Sequence, residues 1–289
     1  MKQYETLSNK FKKIDLVILA GGKGTRIKKR LKGLPKPMIK FKKRHFLQYV
    51  INSFSKYPIR KIYILSGYRS NSIFKKYHNK EINFVKIECL KEDKLLGTAG
   101  SLYNLKKKVN DFILINGDSI FEIDIIKLIN SCSNNSYGSI ALTKNINQQS
   151  KKLNQLSMTQ NKIFLNQKGN LMNGGVYFFK KKIFKFIENK FMSLENDILI
   201  NLIKKKLING IYCNKFFHDI GTNKYFNKTN ALIDKHILRP AAFLDRDGVI
   251  NHHKGYIFKM KDFHLRRGVV EGLKLLQNKN YYIFIVTNQ

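Results

Sequence analysis

A run of strand-forming residues, Ile14 to Ala20, stops directly at Gly21-Gly22-Lys23-Gly24-Thr25-Arg26. A short β-rich run ending in glycines is the pattern of a strand buried on both faces and followed by a tight turn. The pattern then recurs with helical interruptions. A helix is predicted around Phe46 to Lys56, a strand at Lys61 to Leu65, and a helix near Ser70 to His78. Strand Phe84 to Glu88, helix Thr98 to Lys107 and strand Phe112 to Asn116 follow. Strands separated by helices imply an α/β fold: a doubly wound, mostly parallel sheet of Rossmann-like type, with ligands at the carboxyl ends of its strands.

Beyond Ser136 the alternation loosens. Tyr137 to Thr143 and Gly175 to Phe179 read as strands, separated by a polar stretch expected to be loop or hairpin. Helices are predicted at Lys182 to Asn189 and Glu195 to Lys205. A helical segment near Asp234 ends at Pro240, and a new strand begins at Ala241. The domain boundary is placed there, giving domains 1–238 and 239–289.

Hydrophobic residues make up 43% and aromatics 12%, which excludes wholesale disorder. No apolar run approaches the roughly 18 residues of a bilayer span, so no membrane association is expected. Met1 to Lys13 is polar without an apolar core, and a cytoplasmic protein is expected. Cys89, Cys132 and Cys213 lie far apart and form no CxxC pair, the mark of reduced thiols rather than disulfides or zinc. The net charge of +36 has two readings. A gathered basic patch would point to nucleic acid. Here the lysines are dispersed, as in Lys106-Lys107-Lys108, Lys180-Lys181-Lys182 and Lys204-Lys205-Lys206. Dispersal favours a general lysine enrichment that attracts small phosphorylated substrates, with nucleic acid not expected as a partner.

The loop after the first strand carries chemistry. Glycines there let backbone N–H groups approach a polyphosphate without Cβ clashes. Arg26 adds a forked donor, and Lys36 in Pro35-Lys36-Pro37-Met38 a mobile point charge. The loop lacks the GK[ST] ending of a Walker A motif, and Gly22-Lys23-Gly24 does not fit GxGxxG. Two acidic residues sit at strand-to-turn junctions: Asp118 in Asn116-Gly117-Asp118-Ser119, and Asp219 in Phe217-His218-Asp219-Ile220-Gly221-Thr222. Carboxylates so placed can hold a magnesium ion between reacting phosphates.

Leu19-Ala20-Gly21-Gly22-Lys23-Gly24-Thr25-Arg26 with Pro35-Lys36-Pro37-Met38 resembles the opening AGGxGTRL…PKPM of the sugar-1-phosphate nucleotidylyltransferases, with Ile27 in place of the usual leucine. Leu96-Gly97-Thr98-Ala99-Gly100 is similar to the family's segment against the nucleoside base. Asn173-Gly174-Gly175-Val176-Tyr177 and Glu195 are similar to its sugar-binding elements. The resemblance spans roughly residues 14 to 235 and implies a nucleotide-diphospho-sugar transferase fold. It implies Asp118 and Asp219 as Mg²⁺ ligands, and Ala20, Gly21, Gly22, Gly24, Thr25, Arg26, Gly97 and Thr98 at the nucleotide. Asn173, Gly174, Gly175 and Glu195 would lie at the sugar. Arg26, Lys36, Asp118 and a lysine on the sugar phosphate would be catalytic. The family's Glu-Lys pair before the sugar loop has Gln167-Lys168 as its nearest counterpart, so Lys168 takes that role, with Lys162 as the competitor.

Phe243-Leu244-Asp245-Arg246-Asp247-Gly248-Val249-Ile250-Asn251 ends a strand in two aspartates spaced for nucleophile and acid/base. It resembles the first motif of the haloacid dehalogenase superfamily, closest to D,D-heptose 1,7-bisphosphate phosphatases. Thr287 and Asn288 are similar to the phosphate-binding second motif, and Arg266-Arg267-Gly268 lacks the family's proline. The superfamily's later lysine and metal aspartates have no counterpart before Gln289. A partial βαβ fragment, inactive as a phosphatase, is therefore expected. That pairing implies GTP and D-glycero-α-D-manno-heptose 1-phosphate as substrates, with GDP-heptose as a precursor of surface polysaccharide. Glu92 is a candidate acceptor for guanine N1–H and N2–H. Mannose or glucose 1-phosphate with GTP, UTP, dTTP or CTP stays open, as does a polyanion-binding or regulatory module without turnover.

Overall fold

Leu16, Val17 and Ile18 are fully buried in the strand Asp15–Leu19, as the apolar run before the glycines requires. This computed structural model describes residues 11–22, 24–31, 33–92, 94–145, 155–221, 223–253 and 255–288. The chain forms two compact units, Met1–Thr229 and Asn230–Gln289, dividing within the helix Asn223–His236. No helix among the described residues is long and apolar enough to cross a membrane.

The first unit holds a ten-stranded sheet. In spatial order its strands are Leu156–Thr159, Lys162–Leu165, Ile208–Tyr212, Gly138–Lys144, Leu171–Phe179, Phe112–Asn116, Asp15–Leu19, Ile62–Ser66, Val85–Lys91 and Glu81–Ile82. Asp15–Leu19 pairs in parallel with both Ile62–Ser66 and Phe112–Asn116. From the first strand the chain builds outward on one side, then returns to the other at Phe112. That reversal makes a topological switch point, which opens a crevice at the carboxyl end of Asp15–Leu19. Leu171–Phe179 enters antiparallel between Phe112–Asn116 and Gly138–Lys144, so the sheet is mixed in its second half.

At the opposite end of the central strand, Asp15 is fully buried. Arg60 grips it with Nε to Oδ1 at 2.9 Å and Nη2 to Oδ2 at 2.7 Å, and the Asn110 N–H donates to Oδ2 at 3.2 Å. The amphipathic helix Phe46–Ser55 buries Phe46, Leu47, Val50, Ile51 and Phe54.

Several elements differ from expectation. The helix predicted at Thr98 to Lys107 is one α-turn, Gly97–Gly100, continued by a 3₁₀ turn, Ser101–Leu105. Gly97 and Gly100 there lie so close to the carbonyls of Met192 and Lys190 that a Cβ would collide with either. The helix predicted from Glu195 opens as a π-helix, Leu194–Leu199, before α-helix Ile200–Lys204. The one predicted from Lys182 shortens to a 3₁₀ segment, Lys181–Lys185. Within the polar stretch, Leu156–Thr159 and Lys162–Leu165 form a hairpin, while residues 146–154 lie outside the described set.

In the second unit Ala241–Asp245 pairs in parallel with Tyr282–Val286, and helix Val269–Asn278 lies between them in the chain. This is a β-α-β connection with Asp245 opposite Val286.

Candidate active site

A cavity of about 610 Å³ opens at the carboxyl end of Asp15–Leu19, a size suited to a small ligand. Its wall begins with Leu19, Ala20, Gly21, Gly22, Gly24 and Arg26. The loop is carried between two strands: Ala20 N–H donates to Leu65 O at 2.8 Å, and Gly117 N–H to Leu19 O at 2.9 Å. Gly24 has φ +60°, a conformation glycine adopts without Cβ strain. A Cβ at Gly21 would stand 3.1 Å from Gly67 N, whereas at Gly22 it would meet nothing within 4 Å. Gly22 thus leaves its backbone open to the cavity. Lys23, Thr222, Gln289 and the side chain of Thr25 lie outside the described residues.

Asp118 follows the strand Phe112–Asn116 and lines the cavity. The short strand Phe217–Asp219 pairs antiparallel with Ser119–Phe121, which sets Asp219 opposite Ser119. Ile220 N–H donates to Asp118 O at 3.1 Å, and Gly221 N–H to Asp219 Oδ1 at 2.6 Å. Lys36 Nζ forms an ion pair with Asp118 Oδ2. Burial, reinforced by the charge of Asp118, pushes the Asp219 carboxyl up to about 6, while Lys36, the Gly221 N–H and Arg26 pull it down. The two carboxylates therefore share one locality with two cations. An oxygen-only pair that leaves room for water and phosphate fits Mg²⁺. Among the described residues, no cluster of three or more His, Cys, Asp or Glu could hold a metal.

The far wall comprises Glu92, Leu95, Gly97, Thr98, Phe191 and Glu195. Thr98 Oγ1 donates to Glu195 Oε2 at 2.9 Å and accepts the Leu194 N–H at 2.8 Å. Glu92 lies between two glycines: a Cβ at Gly21 would be 3.3 Å from its Oε1, and one at Gly67 3.4 Å from its Oε2. Burial raises its carboxyl, and the Leu96 N–H counteracts that.

Of the expected residues, Asp219 stands beside the wall residue Gly221 rather than on the cavity wall itself, and Lys168, its competitor Lys162, Asn173, Gly174 and Gly175 are not brought to that wall. Lys168 is exposed in the turn after Lys162–Leu165, its backbone N–H held by Asn166 Oδ1 at 3.0 Å; Lys162 is exposed on the strand itself. Asn173 spends its amide inside the chain, Nδ2 on Tyr177 OH at 2.7 Å and Oδ1 on Gly175 N at 2.9 Å. Gly174 is buried against the Phe121 ring, and Gly175, at φ +72°, lies against Asn116 Nδ2. The glycines there permit close packing at the bulge between Asn173 and Tyr177. Conversely Asn116, Leu95, Phe191 and Gly221 line the cavity without having been singled out. Asn116 carried a signal, as the last residue of a buried strand pointing at the crevice.

In the second unit Asp245, Asp247, Thr287 and Asn288 lie at one end of the parallel pair, since Asp245 is opposite Val286. Asp247 is gripped by Arg246, at 3.1 and 2.7 Å, and by Asn251 Nδ2 at 3.1 Å. Asp245 Oδ1 accepts the Arg246 N–H at 2.7 Å.

A glycine loop at a switch point, sharing one cavity with Arg26, Lys36 and Asp118, defines a nucleotide-handling site. Residues 16–236 match the nucleotidyl transferase family, and the chain belongs to it. The chain is 32% identical to the D-glycero-alpha-D-manno-heptose 1-phosphate guanylyltransferase of Campylobacter jejuni, a match covering 71% of this chain and 93% of that protein. It is 30% identical to the bifunctional protein GlmU of Methanococcus vannielii over 74% of this chain and 55% of that one. The chain thus spans about half the length of the GlmU proteins it matches. Among solved structures, HddC from Yersinia pseudotuberculosis complexed with GMP-PN matches with a TM-score of 0.61 and 27% identity. That match covers 75% of this chain and 98% of HddC.

Proposed function

We propose that this chain is a sugar-1-phosphate nucleotidyltransferase that transfers GMP from GTP to D-glycero-α-D-manno-heptose 1-phosphate. Pyrophosphate leaves, and the GDP-heptose formed would feed surface polysaccharide synthesis. The observation that carries the reading is Lys36 paired with Asp118 on the wall of the cavity that the glycine loop lines, with Asp219 beside Gly221 and Lys36. A sugar phosphate oxygen attacks the α-phosphorus as the bond to the bridging oxygen breaks. The nucleophile is already ionised, so the residues position and neutralise rather than move protons. Arg26 and the open N–H groups of the loop take the departing phosphates. Lys36 offsets charge on the attacking one. Mg²⁺ held by Asp118 and Asp219 would supply further neutralisation between the anions.

The choice of guanine is supported by the names of the Campylobacter jejuni protein and of the GMP-PN complex, and by Glu92. A half-buried carboxylate can accept both N1–H and N2–H of guanine, a pair that uracil and thymine lack. For the second unit we propose a haloacid dehalogenase-like origin, supported by Asp245 and Asp247 at the carboxyl end of a parallel strand. Pyrophosphate release across GTP, UTP, dTTP and CTP, each with heptose, mannose and glucose 1-phosphates, tests the main reading. Turnover confined to GTP with heptose phosphate is the expected result. Turnover with another pair reassigns the substrates, and turnover with none rejects the reading.

A further inference from the structure

Glu195 stands on the cavity wall with one carboxylate oxygen already committed. Thr98 Oγ1 accepts the Leu194 N–H at 2.8 Å, so its single proton goes to Glu195 Oε2, 2.9 Å away. Ser193 Oγ accepts the Asn196 N–H at 3.1 Å, so its proton goes to the same Oε2, at 3.2 Å. Both hydroxyls have thereby lost their rotational choice, and both end on one oxygen. Oε1 takes no hydrogen bond among the described residues, while Glu195 borders the cavity. A glutamate at the start of a π-helical turn has three rotatable side-chain bonds, and two fixed donors remove most of that freedom.

Thr98 comes to the same wall from a different element, the turn Gly97–Gly100. Its neighbour Gly97 has φ +74° and packs on Met192, and the Ala99 N–H donates to Met192 O at 2.9 Å. The segment expected at the nucleoside therefore reaches across to the carboxylate expected at the sugar through a single hydroxyl. We propose that Thr98 is a positioning residue, with Ser193 as its second support: it orients Glu195 so that Oε1 accepts a hydroxyl of the acceptor sugar. This rests on the reading of the cavity as a sugar-1-phosphate site. It gives Thr98 a task at the acceptor, through its side chain, in place of a side-chain contact with the nucleotide.

The test compares Thr98→Ser, Thr98→Val and Ser193→Ala in the full chain, using pyrophosphate release with the acceptor that the wild type turns over. Loss of a hydrogen bond to a charged group is worth roughly a factor of ten. Thr98→Val should raise the acceptor KM about tenfold, leave the nucleotide KM within about twofold, and weaken discrimination against an acceptor epimer. Thr98→Ser should restore all three to near wild type, and Ser193→Ala should raise the acceptor KM by a smaller factor. Equal shifts in both KM values, or Thr98→Ser as impaired as Thr98→Val, would overturn the inference alone. If Thr98→Val does not fold, an unchanged acceptor KM in Ser193→Ala overturns it. A wild type with no turnover on any sugar 1-phosphate overturns the functional reading, and this inference with it.

Discussion

Ile220 donates its backbone N–H to the carbonyl oxygen of Asp118 at 3.1 Å, which stitches the turn after one strand to the turn after another. With Asp219 opposite Ser119 in the adjoining ladder, backbone pairing brings two acidic residues 101 positions apart in the chain into one neighbourhood, where Lys36 pairs with Asp118. We predict that Asp118→Asn and Asp219→Asn each lower kcat at least about a hundredfold while the chain still folds and unfolds in a cooperative transition. Assays at saturating magnesium, paired with circular dichroism melts, check this; near-normal turnover in either variant counts against the site.

Asp219 gives a pH signature. Its carboxyl is pushed up to about 6 in the fold by burial and by Asp118, against about 3.9 for an unfolded aspartate. Between those values the folded chain binds more protons than the unfolded one, so this group's contribution to stability falls as pH rises from about 4 to 6 and is flat above. In chelator-treated protein, wild type should therefore lose stability relative to Asp219→Asn across that window. A difference that is constant with pH, or of opposite slope, contradicts the prediction.

The glycines divide into two kinds. Gly22 faces open space, so Gly22→Ala should fold normally and weaken nucleotide binding by covering loop N–H groups. Gly97, at φ +74° and against the Met192 carbonyl, has no room for a Cβ, so Gly97→Ala should destabilise the wall itself. Titration of a nonhydrolysable nucleotide alongside thermal melts separates the two. Similar melting losses in both variants would refute the distinction.

Far from the cavity, Asp15 ties the amino end of the central strand to Arg60 and to the Asn110 N–H. Asp15→Ala should cost about 2–3 kcal/mol in urea unfolding, because the Asn110 N–H loses its acceptor and the charged pair with Arg60 is broken at the same time. Kinetic constants of the folded fraction should stay unchanged. A loss below about 0.5 kcal/mol would mean that the pair is redundant.

What the chain discloses by itself follows a physical divide. Strands such as Phe112–Asn116 were legible because burial on both faces demands an unbroken apolar run, and the glycine loop because few residue types tolerate its backbone. Asp219 was legible at a strand-to-turn junction, but the pairing of Phe217–Asp219 with Ser119–Phe121 was not: three-residue strands leave no periodicity to show their partner, yet this ladder brings Asp219 towards Asp118. Gly174 and Gly175 read as ligand-facing because close approach to a ligand and close approach to Phe121 and Asn116 require the same absent side chain. Phe191, 71% exposed, carried no pattern, since it reaches the cavity through a loop held by Met192 and Leu96.

The account stands or falls on whether Asp118 and Asp219 share one divalent cation. Manganese, which substitutes for magnesium in oxygen-ligand sites, can be followed by electron paramagnetic resonance in the full chain with a nonhydrolysable GTP analogue. One tightly held ion per chain, lost or weakened more than tenfold in both Asp118→Asn and Asp219→Asn, is the predicted result. Manganese binding that survives unaltered in either variant would contradict it.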